Sequence, residues 1–285
     1  MSDSALILEG GGLRGVFTCG VTDCFLDNSI SFTDIWAVSA GSCVTCSFLA
    51  GQRRRAFRVM TGFLGDPRYC SIRSLITTGD LFGAKFNYDT VPNVLDPVDY
   101  EAFRKNPTEF FAVVTNCGTG EAEYKRVFDL RRHLIWVRAS SSLPLLSRMV
   151  KVNGERYLDG GISDSIPLKA AREYRKEKGR ADRAVVVLTR EDGYFKKPEA
   201  TAPAAIRYAK YPALREAMKN RHTMYNSQLA YLRSAENAGA AFVIRPPEPL
   251  GLSRTEKDKT KLEAGYELGY NTAKELLPRL LEFLS

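Results

Sequence analysis

The sequence predicts an α/β fold with a largely parallel central sheet. Three observations carry that expectation. Short apolar runs that read as buried strands recur along the chain, among them "ALIL", "DIWAV" and "RAVVVL". Segments whose apolar residues fall at helical spacing lie between them. Strands alternating with helices are the pattern of a parallel sheet covered by helices. The 285 residues, 44% apolar and 26% charged, suffice for one substantial core, and no internal repeat or low-complexity linker divides them.

In chain order, the first strand, "ALIL", runs into Gly10-Gly11-Gly12. Helical spacing follows, with Val16, Phe17, Cys19, Gly20, Cys24 and Leu26 on one side. The second strand breaks at Ser39-Ala40-Gly41 and continues into the small-residue helix "SCVTCSFLA". Between Arg53 and Asp99, Asp-Pro and Val-Pro breaks predict short helices and loops, a wall or lid. "FFAVVTNC" is a strand whose hairpin partner is "AEYKRVFD". "LRRHLIWVRASSSL" is a helix closed by Pro144, and Asn153-Gly154 marks a tight hairpin between "RMVKV" and "ERYLDGG". "PLKAAREYRKEKG" is a helix with proline at its start and glycine at its end. After "RAVVVLTR" come two long helical stretches, about 202–237 and 255–284, separated by the strand "AAFVIRPP".

The formal charge is +8, with arginines at 53, 54 and 55 and a basic segment from Arg172 to Arg183. Such a surface attracts anionic partners or is a solvated charged face. A nucleic-acid binder would interleave basic and aromatic residues on one face. "YAKYPALREAMKNRHTMY" has part of that pattern, but an amphipathic helix accounts for it, and no nucleic acid is expected. Cys43 and Cys46 form one C-x-x-C with no second pair at zinc spacing, so the six cysteines read as small buried hydrophobes and no metal is expected. Asp3 and Glu9 stand where a signal peptide would be basic and then apolar. No uncharged apolar run reaches the roughly 18 residues of a spanning helix. These features point to a cytoplasmic protein whose contact with an anionic membrane surface would be peripheral.

Gly10, Gly12 and Gly15 spell G-x-G-x-x-G after a strand and before a helix, the dinucleotide fingerprint. That reading requires an acidic residue at the end of the second strand. Asp34 lies at its beginning, and the end is occupied by Ser39 in "AVSAG", close to the G-x-S-x-G nucleophile elbow but with Ala37 in the first glycine's place. A serine needs a base. His133 and His222 both sit in charged helices rather than in strand-end loops, and read as structural. Asp159 in "YLDGG" is the better base, because two glycines leave the carboxylate approachable. The glycine loop then supplies free backbone amides, backed by a helix N-terminus, for the oxyanion of acyl transfer.

In combination, "EGGGLRG", "AVSAGS", "YLDGG" and the small-residue stretch "RASSSLPLL" resemble the patatin-like phospholipases. The resemblance covers roughly Ala5 to Arg190. It implies a three-layer α/β/α patatin-like fold, with residues 1–190 as the catalytic domain and 191–285 as a helical C-terminal extension packed on it. It implies a lipid acyl hydrolase acting on phospholipid or other acyl-ester lipids without cofactor. By the same resemblance Ser39 is the nucleophile, Asp159 the base, Gly10, Gly11 and Gly12 the oxyanion loop, and Arg14 a basic residue that steadies the loop or contacts substrate. A catalytically weak or inactive lipid- or protein-binding module on the same fold is the alternative, and Ala37 is the departure that keeps it open.

Overall fold

A computed structural model describes residues 2–200 and 202–285. Eight strands form one sheet: β1 (Ser2–Leu8), β2 (Phe32–Val38), β3 (Glu109–Asn116), β4 (Ala122–Arg126), β5 (Val150–Val152), β6 (Glu155–Asp159), β7 (Ala184–Val187) and β8 (Ala241–Ile244). Their order is β5-β6-β3-β2-β1-β7-β8, with β4 also paired to β3. The pairs β1–β2, β1–β7, β2–β3 and β7–β8 are parallel, and β3–β4, β3–β6 and β5–β6 antiparallel. The largely parallel sheet expected from the strand–helix alternation is present.

Side-chain alternation sorts the strands into two apolar layers. Leu6, Leu8, Ile35, Ala37, Phe110, Ala112, Val185 and Val187 face helices α1 (Val16–Asp27) and α2 (Ala40–Leu49) and the last helix, α10 (Lys259–Leu284). Ala5, Ile7, Trp36, Phe111, Ala184 and Val186 face α7 (Leu168–Glu177) and α9 (Pro212–Asn237). Between β2 and β3 the chain forms α3 (Arg55–Gly62), α4 (Ile72–Thr78), a π-type helix over Phe86–Leu95 and α5 (Tyr100–Lys105). Helix α6 (Leu130–Ser140) precedes the β5–β6 hairpin, whose turn residues Asn153 and Gly154 both have positive φ, as a type I′ turn demands.

Two sequence expectations are refined. The first long C-terminal stretch is not one helix: α8 (Ala202–Arg207) ends before Tyr211, and α9 starts with Pro212. Proline disfavours helical backbone in the residue before it and suits the first turn of the next helix. The basic segment 172–183 is not uniformly solvated. Arg175 is fully buried, pairs with Asp34 at the start of β2 and reaches Asp3 Oδ1 at 2.7 Å. Asp34, the acid at the wrong strand end for a dinucleotide, is thus a structural counter-ion.

Candidate active site

The register of β3 brings Ser39 and Asp159 together. β2 ends with Val38 opposite Val113, and β6 ends with Asp159 opposite Val114. β4 pairs with Phe111–Thr115 and overlaps both stretches, so it holds the other edge of β3. β2 and β6 therefore share one edge and run toward each other. Their C-terminal ends meet, with Ser39 just beyond one and Asp159 closing the other.

Ser39 turns the chain from β2 into α2 at φ 55°, ψ −122°, a strained conformation for a residue with a Cβ. The elbow is braced by the "SSS" stretch. Ser39 N donates to Ser140 Oγ at 2.9 Å, and Ser141 Oγ donates to Ser39 O at 3.0 Å. Gly41 allows α2 to approach β1, since a Cβ there would lie 2.7 Å from Leu8 O. Ala37 is fully buried in the core layer that faces α1 and α2, and the elbow forms without a glycine there.

Asp159 is buried. Its Oδ1 accepts the Gly161 amide at 2.8 Å, while Oδ2 is buried with no hydrogen-bond partner. Burial raises its pKa above the ordinary carboxylate value, opposed first by the Ser39 hydroxyl and then by the charge of Arg221. The neighbouring Gly160 leaves no room for a side chain, because a Cβ would lie 2.3 Å from Val113 O.

The glycine loop continues β1 and lies directly beside the elbow at the end of β2. A Cβ on Gly10 would lie 2.7 Å from Ser39 Cβ, and one on Gly12, which has φ 58°, 2.5 Å from Arg254 O. Among the described residues the amides of Gly10, Gly11 and Gly12 have no acceptor. The loop leads through one 3₁₀ turn, Gly12–Gly15, into α1, whose N-terminus points at it. Glu9 anchors the loop from below: Tyr225 Oη donates to it at 2.6 Å and the Thr189 amide at 2.7 Å.

Two cavities open from Ser39. One, about 140 Å³, is apolar and runs between α2, α3, the π-type helix and α6, past Cys43, Val59, Met60, Tyr88, Val91 and Leu134. The 53–99 region does form its wall. The other, about 40 Å³, is polar and is bounded by Gly10–Gly12, Asp159, Gly161, Arg14, Arg221 and Arg254. Arg14 is buried, and its pKa is brought down to about 10 by burial and then by the charge of Arg190. It is not the exposed helix residue its position near a helix start would suggest. His133 and His222 line neither cavity.

Sequence reading missed Glu9, Ser140, Arg221 and Arg254. Glu9 could have been suspected as a charge closing an otherwise apolar strand. Arg221 sits in an amphipathic helix and Arg254 in a polar loop, where nothing separates them from solvated arginines.

The patatin-like phospholipase family model matches residues 6–172, and a domain of unknown function, DUF6363, matches residues 211–285. The chain is 26% identical over 274 residues to the uncharacterized protein YjjU of Escherichia coli strain K12, which spans 93% of this chain and 74% of that protein. Its fold is similar to the crystal structure of VipD from Legionella pneumophila, with a TM-score of 0.52 and 13% identity over 97% of this chain and 67% of VipD. Among the described residues no helix is long and apolar enough to cross a membrane. The family match runs unbroken from β1 into α7 and takes in the glycine loop, the elbow and the aspartate hairpin, more than half of the sequence: the chain belongs to the patatin-like phospholipase family, whose activity is lipid acyl-ester hydrolysis.

Proposed function

We propose that this chain hydrolyses fatty-acyl esters through a Ser39–Asp159 dyad. The observation that carries the reading is a buried Asp159 carboxyl with an unpartnered Oδ2, lining one polar cavity with a serine held at φ 55° where that cavity meets an apolar one. The apolar cavity takes the acyl chain. Asp159 removes the Ser39 proton as Oγ attacks the acyl carbonyl, and the amides of Gly10, Gly11 and Gly12 hold the oxyanion. The proton passes from Asp159 to the departing alcohol. Water, deprotonated by Asp159, then attacks the acyl-enzyme, and Ser39 regains its proton as the fatty acid leaves. Arg14 faces the alcohol side of the substrate. The protein works in the cytoplasm and meets membrane lipid peripherally.

Turnover of a chromogenic short-chain ester by wild type, Ser39→Ala and Asp159→Asn tests the dyad. Both variants are expected to lose at least 10³-fold in kcat while keeping the wild-type circular dichroism spectrum. Fluorophosphonate labelling that depends on Ser39 is expected alongside. Robust turnover by Ser39→Ala, or no labelling of folded wild type, sinks the reading and leaves a binding module.

A further inference from the structure

The loop after Asp159 and the glycine loop are both tied to one face of α9. Arg221, Tyr225 and Gln228 follow one another at i, i+4 and i+7, the spacing that aligns side chains on one side of a helix. Arg221 Nε donates to Gly161 O at 2.5 Å. Tyr225 Oη donates to Glu9, the residue before the glycine loop, at 2.6 Å. Gln228 Oε1 accepts the amides of Ser165 and Ile166 at 3.2 and 3.0 Å. From Gln228 an unbroken path leads to the carboxyl. Ser165 Oγ donates to Gly161 O at 2.9 Å, and the Gly161 amide donates to Asp159 Oδ1 at 2.8 Å. Thr115 Oγ1 secures the start of the same loop by donating to Asp159 O at 2.8 Å.

We propose that Arg221, Tyr225 and Gln228 are positioning residues, and that this stripe of α9 fixes the Asp159 loop against the glycine loop. This rests on the hydrolase reading above and assigns the region after residue 210 a part in it. Base and oxyanion donors lie on separate segments that meet only at Ser39, so their spacing needs a third element that grips both. Gln228 lines neither cavity at Ser39 and so acts through its partners alone. Asp164 fixes which way its amide points. Asp164 Oδ2 accepts Tyr124 Oη at 2.8 Å, and Oδ1 accepts Gln228 Nε2 at 2.6 Å. Burial lifts the Asp164 carboxyl to about 6, opposed by those two hydrogen bonds, so at neutral pH it is mostly ionised and only accepts. Gln228 must therefore turn its NH₂ toward Asp164, which leaves its carbonyl oxygen for the two loop amides.

The test measures kcat and KM for a short-chain chromogenic ester with the full chain, per folded molecule by circular dichroism. Gln228→Met keeps the length of the side chain and removes its hydrogen bonds. It is expected to lower kcat about tenfold to a hundredfold with KM within about twofold, because a small misplacement of a reacting group costs rate. Tyr225→Phe releases Glu9 and is expected to lower kcat in the same sense. Asp164→Asn turns two donors toward each other and Gln228→Glu turns two carboxylates toward each other, so each alone is expected to lower kcat. Combining Asp164→Asn with Gln228→Glu again sets one donor against one acceptor and is expected to recover most of the loss. Hydrogen exchange reads the tie without turnover. In Gln228→Met the amides of residues 159–166 are expected to exchange about tenfold faster, while those of β1 and β2 keep their wild-type rates. Wild-type kcat in Gln228→Met, or a double variant no better than its parents, overturns the proposal. So does loop exchange that is unchanged or accelerated equally across the whole chain. Wild type without Ser39-dependent turnover sinks the hydrolase reading instead, and the exchange rates still decide whether α9 holds the loop.

Discussion

Asp159 is held in a position that costs stability. Its carboxyl is buried with one oxygen unpaired, and burial raises its pKa above the ordinary value of about 3.9. Two consequences follow from the sign of that shift. In the proposed mechanism turnover needs the ionised form, so the acid limb of kcat/KM is expected above the usual carboxylate range, measured from initial rates between pH 4 and 9. The folded pKa lies above the unfolded one, so the charged carboxylate costs stability at neutral pH, and that cost disappears as pH falls through the raised pKa. Asp159→Asn is therefore expected to leave Tm at pH 7 unchanged or higher while abolishing turnover. A fall of several degrees in a thermal melt would show instead that the carboxylate stabilises the fold. The sequence marked Ser39 and Asp159 because short glycine motifs flank each. It picked out the stretch around Ser140 only as part of the resemblance and gave that serine no role, although Ser140 Oγ holds the elbow amide, because a serine in a serine run carries no local sign of its partner 101 positions away.

Elements were legible where period and punctuation agree. The Asn153-Gly154 hairpin, the strand runs and α7, between Pro167 and Gly179, all follow local rules, and each forms. Which helices touch is a different matter. α1 and α10 cross at two glycines: a Cβ on Gly20 would lie 2.1 Å from Tyr266 O, and one on Gly269 would lie 2.1 Å from Phe17 O. Both obstacles are backbone atoms and cannot rotate away. Gly269→Ala is expected to cost about 1–3 kcal/mol by forcing the helices apart, which lowers Tm by several degrees at roughly 2–4 °C per kcal/mol. Differential scanning calorimetry of Gly269→Ala beside the surface control Gly62→Ala, whose added Cβ meets nothing, checks it. Equal melting of the two would mean that the helices do not cross this closely.

At the scale of the whole molecule, the residues after 190 share the core of those before. β8 pairs with β7 at the sheet edge, and α10 lies on α1 with Leu262, Tyr266, Ala273 and Leu280 buried. We propose that residues 191–285 fold with the rest as one unit. Removing residues 251–285 uncovers the apolar face of α1, and every Å² of newly exposed apolar surface costs about 25 cal/mol against a usual margin of only about 5–15 kcal/mol. The truncated chain is expected to be insoluble or to bind a hydrophobic dye without a cooperative melt. Soluble expression with a sharp melting transition would show that the first part folds alone.

The sequence by itself determined the α/β class and the strands, and it marked the glycine loop, Ser39 and Asp159 as candidates, because strand alternation, turn chemistry and glycine punctuation are local and leave their mark within a few residues. Only the tertiary structure decided that β2 and β6 meet end to end on one edge of β3, that Arg175 is a buried partner of Asp34, and that Arg221 and Arg254 flank the candidate nucleophile. Those facts depend on register and on helix packing between segments more than a hundred residues apart. An arginine's local sequence is the same whether its guanidinium meets water or the far end of a sheet.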